Sequence, residues 1–295
     1  MTQFADRLAA LVDERRSQIC LGLDPDPAKL AGEGASAGDR GAAAELAAAA
    51  VVAHCRGLID RAGPACVAVK PQMACFERLG APGWAALAEV CAAARDAGLL
   101  VIADGKRGDV PVTAAAYAQA LVGETPTPWG PVAGLGADAF TANPLLGRDA
   151  LEPLIAGAAE AGAGVFALVR TSNPGAADVE DLLAPDAPLH ERLAELVDGL
   201  SERLLGGSGL SGMGAVVGAT EPAHIGRLRE LMPRSVFLIP GVGAQGGRPE
   251  LLGAAFTAGP ASAIVPVSRG IAADPDPAAA AERLRAATWD VSVAR

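Results

Sequence analysis

Short apolar runs alternate with longer stretches rich in Ala and Leu along nearly the whole chain, and this alternation constrains the fold more than any other feature. It is typical of parallel strand–helix units rather than of hairpins. Eight strands are predicted, over Ile19–Leu23, Val67–Lys70, Leu99–Ala103, Ala137–Thr141, Val165–Val169, Ala215–Val217, Val236–Ile239 and Ala263–Val265. Helices are predicted between and after them, over Ala42–Asp60, Trp84–Asp96, Ala114–Leu121, Leu151–Ala161, Leu189–Leu205, Ala223–Leu231, Pro249–Thr257 and Pro277–Thr288. An opening helix over Phe4–Arg16 would cover the bottom of the sheet.

Eight parallel strands, each followed by a helix, close most simply into a (β/α)₈ TIM barrel of the α/β class, and an open doubly wound sheet is the alternative. We expect residues 1–295 to form a single domain, because barrels of this kind often exceed about 200 residues as one unit. Two long loops, Asp24–Asp39 and Ser172–Pro188, follow strands one and five, on the face where barrels build active sites. The glycine-rich segment 206–214 is expected to be a flexible connector.

The overall charge limits the partners that the protein can have. A formal net charge of -10 and a pI near 4.8 disfavour nucleic acid and anionic membranes. The first sixteen residues contain acidic side chains and lack an apolar signal core, and no stretch reaches about 18 uninterrupted apolar residues. We therefore expect a cytoplasmic protein, and any anionic substrate must be held by a local site.

Cysteine and histidine do not point to a redox or metal site. The cysteines are expected to be buried apolar residues in a reducing compartment, since their number is odd and their spacing fits neither disulfides nor metal binding; they are Cys20, Cys55, Cys66, Cys75 and Cys91. His54, His190 and His224 fall in predicted helices, away from strand ends. This placement disfavours a Ser-His-Asp or a His-metal mechanism.

The end of predicted strand three, which reads VIADGKRGDV over 101–110, is the most informative motif. Asp104 and Lys106 are two residues apart, a spacing that on a strand points both side chains to the same face. Burying an unpaired charge is costly, so we expect the two to neutralise each other at the barrel mouth. Gly108 would let the chain turn before Asp109. A solvated loop with charges at its rim is the alternative for this motif alone.

Two other strand ends carry matching charges. Asp24 closes strand one in CLGLD, and Lys70 closes strand two in VAVK. A parallel barrel brings its strand ends to one mouth, so these side chains would meet Asp104 and Lys106 in one pocket. Charges of alternating sign would then form a preorganised site that stabilises charge developing during a reaction.

The loops after predicted strands seven and eight have the composition of an anion site. The segment IPGVGAQGG over 239–247 lets backbone N–H groups approach an anion, and PVSRG over 266–270 adds the guanidinium of Arg269. Either loop alone could be an ordinary turn, but together they predict a phosphate site, which barrels often build there. After strand five, VRTSNPG over 169–175 offers hydroxyl and amide groups suited to the polar edge of a ring, or forms a simple turn.

Taken together, these motifs resemble those of orotidine 5′-phosphate decarboxylases. DGKRGD over 104–109 is similar to the D-x-K-R-G-D signature of that family. Further segments resemble the longer, type 2 bacterial branch in order along nearly the whole chain: LGLDP over 21–25, VKPQ over 69–72, TSNPG over 171–175, VGAT over 217–220, PGVGAQGG over 240–247 and VSR over 267–269.

The resemblance implies a homodimer that removes CO₂ from orotidine 5′-monophosphate to give UMP in pyrimidine biosynthesis, with no metal or organic cofactor. It implies that Lys70, Asp104 and Lys106 form the charged array, that Asp109 from the neighbouring subunit completes it, and that Lys106 protonates C6 of the pyrimidine. The implied substrate-binding residues are Asp24 at the ribose hydroxyls together with Lys70, Thr113 beside Asp109, Ser172 at the pyrimidine, Gln245 between base and phosphate, Arg269 at the phosphate, and Pro240 and Gly270 in the same two late loops.

The chain departs from the usual family pattern at Met73, Cys75, Gly105, Pro111 and Leu145. The resemblance leaves three other activities to consider: a Mg-dependent sugar-phosphate decarboxylase or aldol enzyme of the same barrel suprafamily, a Schiff-base aldolase, and a non-catalytic barrel that binds a phosphorylated ligand. Flanking aspartates disfavour the Schiff base, because they keep a lysine protonated. The charged residues of the family's reactive array are all present in this sequence, which disfavours a barrel that only binds a phosphorylated ligand.

Overall fold

The structure is a computed structural model that describes residues 2–30 and 40–294, and eight parallel strands form a closed barrel in it. The strands are β1 (Ile19–Leu23), β2 (Ala68–Pro71), β3 (Leu100–Arg107), β4 (Ala139–Ala142), β5 (Gly164–Arg170), β6 (Ser211–Val217), β7 (Ser235–Leu238) and β8 (Ala263–Val267). Each strand pairs with the next one in sequence, and β8 closes on β1. The predicted (β/α)₈ TIM barrel is confirmed, and the open doubly wound sheet is excluded.

Helices surround the barrel between the strands. Within the described residues they are α1 (Phe4–Arg15), α2 (Arg40–Ala62), α3 (Met73–Glu77), α4 (Ala81–Asp96), α5 (Pro111–Leu121), α6 (Arg148–Ala161), α7 (Leu189–Asp198), α8 (Pro222–Leu231), α9 (Arg269–Ala272) and α10 (Pro277–Val293). None of these helices combines the length and the apolar character needed to span a bilayer.

The interior of the barrel is filled at its N-terminal end. Alternate residues of the strands, among them Cys20, Ala68 and Ile102, form an inner cluster that α1 closes from below. Phe4 of α1 meets Phe166 of β5 edge to face, with ring centroids 5.8 Å apart. The opening helix therefore covers the barrel bottom as predicted, and the C-terminal mouth remains for polar side chains.

The predicted helix Pro249–Thr257 is wrong. The connection between β7 and β8 contains short 3₁₀ turns at Pro249–Leu251 and Gly253–Phe256 instead. Carbonyl oxygens in this connection accept hydrogen bonds from the buried Arg229 of α8, whose guanidinium binds the carbonyls of Ala255 and Ser262 as well as those of Met232 and Ser235. Gly253, a poor helix former, begins the second turn and interrupts a continuous helix.

Two other predictions need correction. The predicted helix Leu189–Leu205 ends at Asp198, because Gly199 is a poor helix former and a 3₁₀ turn over Ser201–Leu204 follows. The segment 206–214 is not a flexible connector throughout, since its last four residues are the buried start of β6. Glycine is required there by close packing: a Cβ at Gly214 would lie 2.5 Å from the Val236 carbonyl oxygen.

The long loops follow β1 and β5, as expected. The first contains a 3₁₀ turn at Pro27–Lys29, and the part of Asp24–Asp39 from 31 to 39 lies outside the described residues. The second contains a 3₁₀ turn at Pro174–Asp178 and a small hairpin of Leu183–Ala184 with Ala187–Pro188.

Candidate active site

A buried carboxylate between two lysines lies at the C-terminal mouth of the barrel. Asp104 of β3 is 5% exposed, and its Oδ2 accepts a hydrogen bond from Lys70 Nζ of β2 at 2.5 Å. Its Oδ1 accepts one from Lys106 Nζ at 2.6 Å. The structure thus brings together the charges that the strand ends were predicted to gather.

Strand pairing positions the first two of these side chains. Lys70 lies two residues after Ala68 and Asp104 two residues after Ile102, so both continue the inward-facing rows of β2 and β3. An isolated bridge between Gln72 and Asp104 extends the pairing of the two strands. The floor of the site is therefore apolar, and its first charged layer stands directly above the inner cluster.

The regular spacing of a strand predicted that Lys106 meets Asp104, but in the structure an irregular backbone brings the two side chains together. Its backbone has φ 48°, in the left-handed region that non-glycine residues rarely adopt. The pairing of β3 with β4 also shifts between Ala103 and Arg107. The two side chains do meet, but through a bulge in β3 rather than through an even pleat.

Electrostatics hold the carboxylate ionised. Burial alone would raise the pKa of Asp104, but the charges of Lys70 and Lys106 and their hydrogen bonds outweigh it and lower the pKa to about 2. Burial acts in the opposite sense on Lys70, and the negative charges of Asp104 and Asp24 reverse it, so the pKa of Lys70 is raised. The pair therefore stays charged at neutral pH.

The array lines a cavity of about 470 Å³. Nine of the predicted site residues line this cavity: Asp24, Lys70, Asp104, Lys106, Ser172, Pro240, Gln245, Arg269 and Gly270. Its volume is in the range that encloses a small molecule. The cavity wall also contains Leu168, Val216 and Leu238, which give it an apolar side between the polar groups.

Asp109 and Thr113, also predicted at the site, are not among the residues that line this cavity. Asp109 Oδ1 accepts a hydrogen bond from the Val110 backbone N–H at 2.7 Å, and Thr113 lies exposed on the first turn of α5. Pro111 is the first residue of that helix, a position where its missing N–H has no cost. Within one chain, these two residues therefore lie outside the cavity.

The late loops lie across the mouth from β3. In an eight-stranded barrel β7 stands opposite β3, and β8 follows β7. Gly241, with φ 108°, turns the chain after β7 in a conformation that favours glycine. Arg269 begins α9 directly after β8 and is exposed toward the cavity that it lines. A cationic side chain and a glycine-rich loop thus lie on the far side of the cavity from Asp104.

The loop after β5 is fastened by a polar cluster. Arg170, buried at the end of β5, donates from Nε and Nη2 to the two carboxylate oxygens of Asp181, at 2.8 and 3.0 Å. Glu180 accepts hydrogen bonds from the Thr171 backbone N–H at 2.8 Å and from Thr171 Oγ1 at 2.9 Å. Ser172, the next residue, lies at the cavity wall.

Among the cavity residues that were not predicted as site residues, three polar ones make hydrogen bonds at the array or in the loop after β5. Gln72 donates from Nε2 to Asp104 Oδ2 at 3.3 Å, and Thr141 donates from Oγ1 to Asp104 Oδ1 at 2.9 Å. Glu180 lines the cavity while it binds Thr171. Gln72 could have been predicted as a site residue, because it lies two residues after Lys70 and so on the same face of the strand. No local sequence pattern indicates that Glu180 lines the cavity.

Two of the departures from the family pattern are in contact. A Cβ at Gly105 would lie 2.7 Å from Met73 Sδ, and Met73 is fully buried on α3. A side chain at position 105 and methionine at position 73 would therefore compete for the same space. The two departures form a matched pair beside the array.

No cysteine or histidine lines the cavity among the described residues. All five cysteines are free of disulfides; four are buried as predicted, but Cys75 is only partly buried, so the prediction is wrong for it. His190 and His224 pack edge to face with ring centroids 4.7 Å apart, beside Asp181. Within the part of the chain that the structure describes, no three His, Cys, Asp or Glu side chains are grouped as a metal site would need.

Comparison with known proteins gives a consistent result. The sequence profile of the Orotidine 5′-phosphate decarboxylase / HUMPS family matches residues 17–284. An orotidine 5′-phosphate decarboxylase of Rhodopirellula baltica is 41% identical over 277 residues, which cover 92% of this chain and 88% of that protein. One from Deinococcus radiodurans is 39% identical over 269 residues, or 91% and 88% of the two chains. The structure of Leishmania donovani OMP decarboxylase superposes with a TM-score of 0.77 at 34% identity, over 99% of this chain and 100% of that one.

Proposed function

The chain belongs to the orotidine 5′-phosphate decarboxylase / HUMPS family and converts orotidine 5′-monophosphate to UMP, and we propose that Lys70, Asp104 and Lys106 carry this reaction. One observation carries the proposal: a single ionised carboxylate is bound by two lysines at 2.5 and 2.6 Å, in the wall of the cavity at the barrel mouth.

Decarboxylation breaks the bond between C6 and its carboxylate carbon, and the electron pair of that bond stays on C6. A fixed ammonium beside C6 stabilises this charge and then delivers a proton to it. The lysine is restored by a proton from water. CO₂ and UMP are the products, so no oxidant, reductant or other co-reactant is needed.

The different exposure of the two lysines supports different roles. The side chain of Lys106 is 45% exposed and that of Lys70 is 11% exposed. Lys106 can therefore face the substrate and recover its proton from solvent, which suits a proton donor. Lys70, enclosed beside Asp104, keeps that carboxylate ionised and fixed. Preorganised charges of this kind need no reorientation as the transition state forms.

The rest of the cavity suits a nucleotide. Asp24 at the end of β1 would bind ribose hydroxyls together with Lys70, and Ser172 would bind the pyrimidine. Arg269, with Gly270 and the loop that begins at Pro240, would bind the phosphate, and Gln245 would span base and phosphate. The loops after β7 and β8 lie across the barrel mouth from β3, and this supports the assignment, because it leaves room for the base between the phosphate and the lysines.

We propose that the active unit is a homodimer in which Asp109 and Thr113 reach the neighbouring active site. Both lie outside the cavity of their own chain. The surface around them is apolar and exposed: Val110 is 56% exposed, Val112 is 86% exposed and Leu145 is 59% exposed. Apolar side chains grouped in this way are typical of a contact surface.

Mixing two inactive variants tests the shared site. Lys106→Ala and Asp109→Ala chains are each expected to be inactive, but a heterodimer has one active site in which both residues are intact. Random exchange should then restore about a quarter of the wild-type activity, because half of the dimers are mixed and half of their sites are complete. No recovery after demonstrated subunit exchange would contradict the shared site.

The reaction is proposed to need neither a metal nor an organic cofactor. Purified protein should consume orotidine 5′-monophosphate at the same rate with and without excess EDTA. The reaction is monitored by the fall in ultraviolet absorbance of the substrate. Loss of activity in EDTA and recovery with Mg²⁺ would favour the metal-dependent chemistry of the same barrel suprafamily. Tight UMP binding without turnover would favour the binding-only protein.

A further inference from the structure

We infer that Thr141, at the end of β4, is a positioning residue that fixes both Asp104 and Lys106 in their reactive geometry. The inference rests on the proposed function of the array. Thr141 acts through its hydroxyl, which is bound to both residues at once.

The bulge in β3 lies opposite Thr141. Ala103 pairs with Phe140 and Arg107 pairs with Ala142, so three residues of β3 face a single residue of β4. Those three are the segment Asp104–Lys106, and the single residue is Thr141. A bulge disrupts the ladder of backbone hydrogen bonds, and such bulges commonly re-aim a side chain next to an active site.

The hydroxyl of Thr141 supplies a hydrogen bond that the disrupted ladder cannot. Its Oγ1 accepts the backbone N–H of Lys106 at 2.8 Å and donates to Asp104 Oδ1 at 2.9 Å. An oxygen that both donates and accepts is needed for this pair of contacts, and serine or threonine provides one. The same Asp104 oxygen accepts Lys106 Nζ, so the three residues form a closed hydrogen-bonded ring.

The Lys106 backbone requires such a restraint. A non-glycine residue at φ 48° is strained, and strain of this kind persists only where the surroundings fix it. Thr141 is 1% exposed, and without its hydroxyl both the Lys106 N–H and the buried Asp104 Oδ1 would lose a partner. Relaxation of this backbone would move Lys106 Nζ away from Asp104 and from the substrate carbon.

Isosteric substitution tests the inference. Thr141→Val keeps the shape and removes the hydroxyl, and Thr141→Ser keeps the hydroxyl and removes a methyl group. We expect Thr141→Val to lower kcat by about 10- to 100-fold, the effect of leaving a buried polar group without a partner, with KM changed by less than about threefold. Thr141→Ser should recover most of the lost rate.

Thr288→Val is the matched control. Thr288 is fully buried on α10, where its hydroxyl binds the Leu284 carbonyl oxygen at 2.8 Å, remote from the cavity. Its loss should lower stability without lowering kcat. A similar fall of kcat in both valine variants, or equal impairment of Thr141→Ser and Thr141→Val, would overturn the positioning role.

A crystal structure of Thr141→Val separates failure of this inference from failure of the proposed function. In the Thr141→Val structure, we expect the Lys106 backbone to lie outside the left-handed region, or Lys106 Nζ to be no longer bound to Asp104. An unchanged array in that structure, with unchanged kcat, would refute the role of Thr141. A wild-type protein without turnover of orotidine 5′-monophosphate would refute the proposed function, and the crystal structure would still decide whether Thr141 holds the array.

Discussion

Asp104→Asn is the substitution whose effect on stability follows most directly from the structure. The fall of the Asp104 pKa from 3.8 to about 2 corresponds to about 2.5 kcal/mol of folding free energy. Because the folded pKa lies below the unfolded one, this contribution is complete above the unfolded value and is lost as pH falls through about 2. About half of it should remain near pH 3.

Asparagine keeps the size of the side chain but not its charge. Lys70 would then be buried with its ammonium unpaired, and an unpaired buried charge is destabilising. At neutral pH the variant should be less stable than the wild type by about 2 to 3 kcal/mol. The difference should shrink in acid, because the Asp104 carboxyl of the unfolded wild-type chain takes up a proton there while that of the folded chain stays ionised, which favours unfolding of the wild type.

Urea unfolding followed by tryptophan fluorescence, between about pH 7 and about pH 3, measures this difference. Asp186→Asn is the matched control, since its side chain is 89% exposed and the same negative charge is removed. It should change the unfolding free energy by less than about 0.5 kcal/mol. A difference between Asp104→Asn and wild type that stays constant over this pH range would refute the electrostatic reasoning, as would a variant as stable as the wild type at neutral pH.

Three further predictions follow from single contacts. Arg229→Met should lower the unfolding free energy by about 3 kcal/mol in urea titrations while the folded fraction keeps its kcat. Arg234→Met, at a half-exposed arginine whose ion pair with Glu202 lies near the surface, should cost less than about 1 kcal/mol. Gly105→Ala should lower kcat about tenfold, because the added Cβ would collide with Met73. Met73→Ala in the same chain should restore part of the lost rate. Equal activity of the single and double variants would show that this collision does not limit the rate. Arg170→Met should raise KM for orotidine 5′-monophosphate about tenfold by loosening the loop after β5, and an unchanged KM would show that the loop needs no such fastening.

The barrel could be predicted from the sequence because its signal is local and repeated. Each apolar run ends where helix-forming residues begin, and only one simple closure joins eight such units. The connection from β7 to β8 was predicted wrongly, because Ala254 and Ala255 favour a helix locally although Gly253 interrupts it. The hydrogen bond from the distant Arg229 to the Ala255 carbonyl oxygen also has no local signal. Gly214 in β6 likewise has no local signal, since the contact that requires glycine there is with Val236 of β7.

The charged array could be predicted because charged residues directly after buried strands are rare and conspicuous. Thr141 gave no such signal, since a threonine in a strand is ordinary and its role depends on the bulge in the neighbouring strand. Register shifts of this kind arise from pairing between distant segments, which one sequence does not encode in any local pattern. The interface roles of Asp109 and Thr113 remain predictions, supported by their position outside the cavity.

The central claim is that Lys106, fixed beside Asp104, stabilises charge at C6 and protonates it. The turnover of orotidine 5′-monophosphate by Lys106→Ala, with Lys29→Ala as a control at a side chain that is 82% exposed, tests it most directly. We predict a loss of more than about 10⁴-fold in kcat for Lys106→Ala, UMP affinity within about tenfold of wild type, and wild-type turnover for Lys29→Ala. Turnover by Lys106→Ala within about tenfold of the wild type would contradict the account.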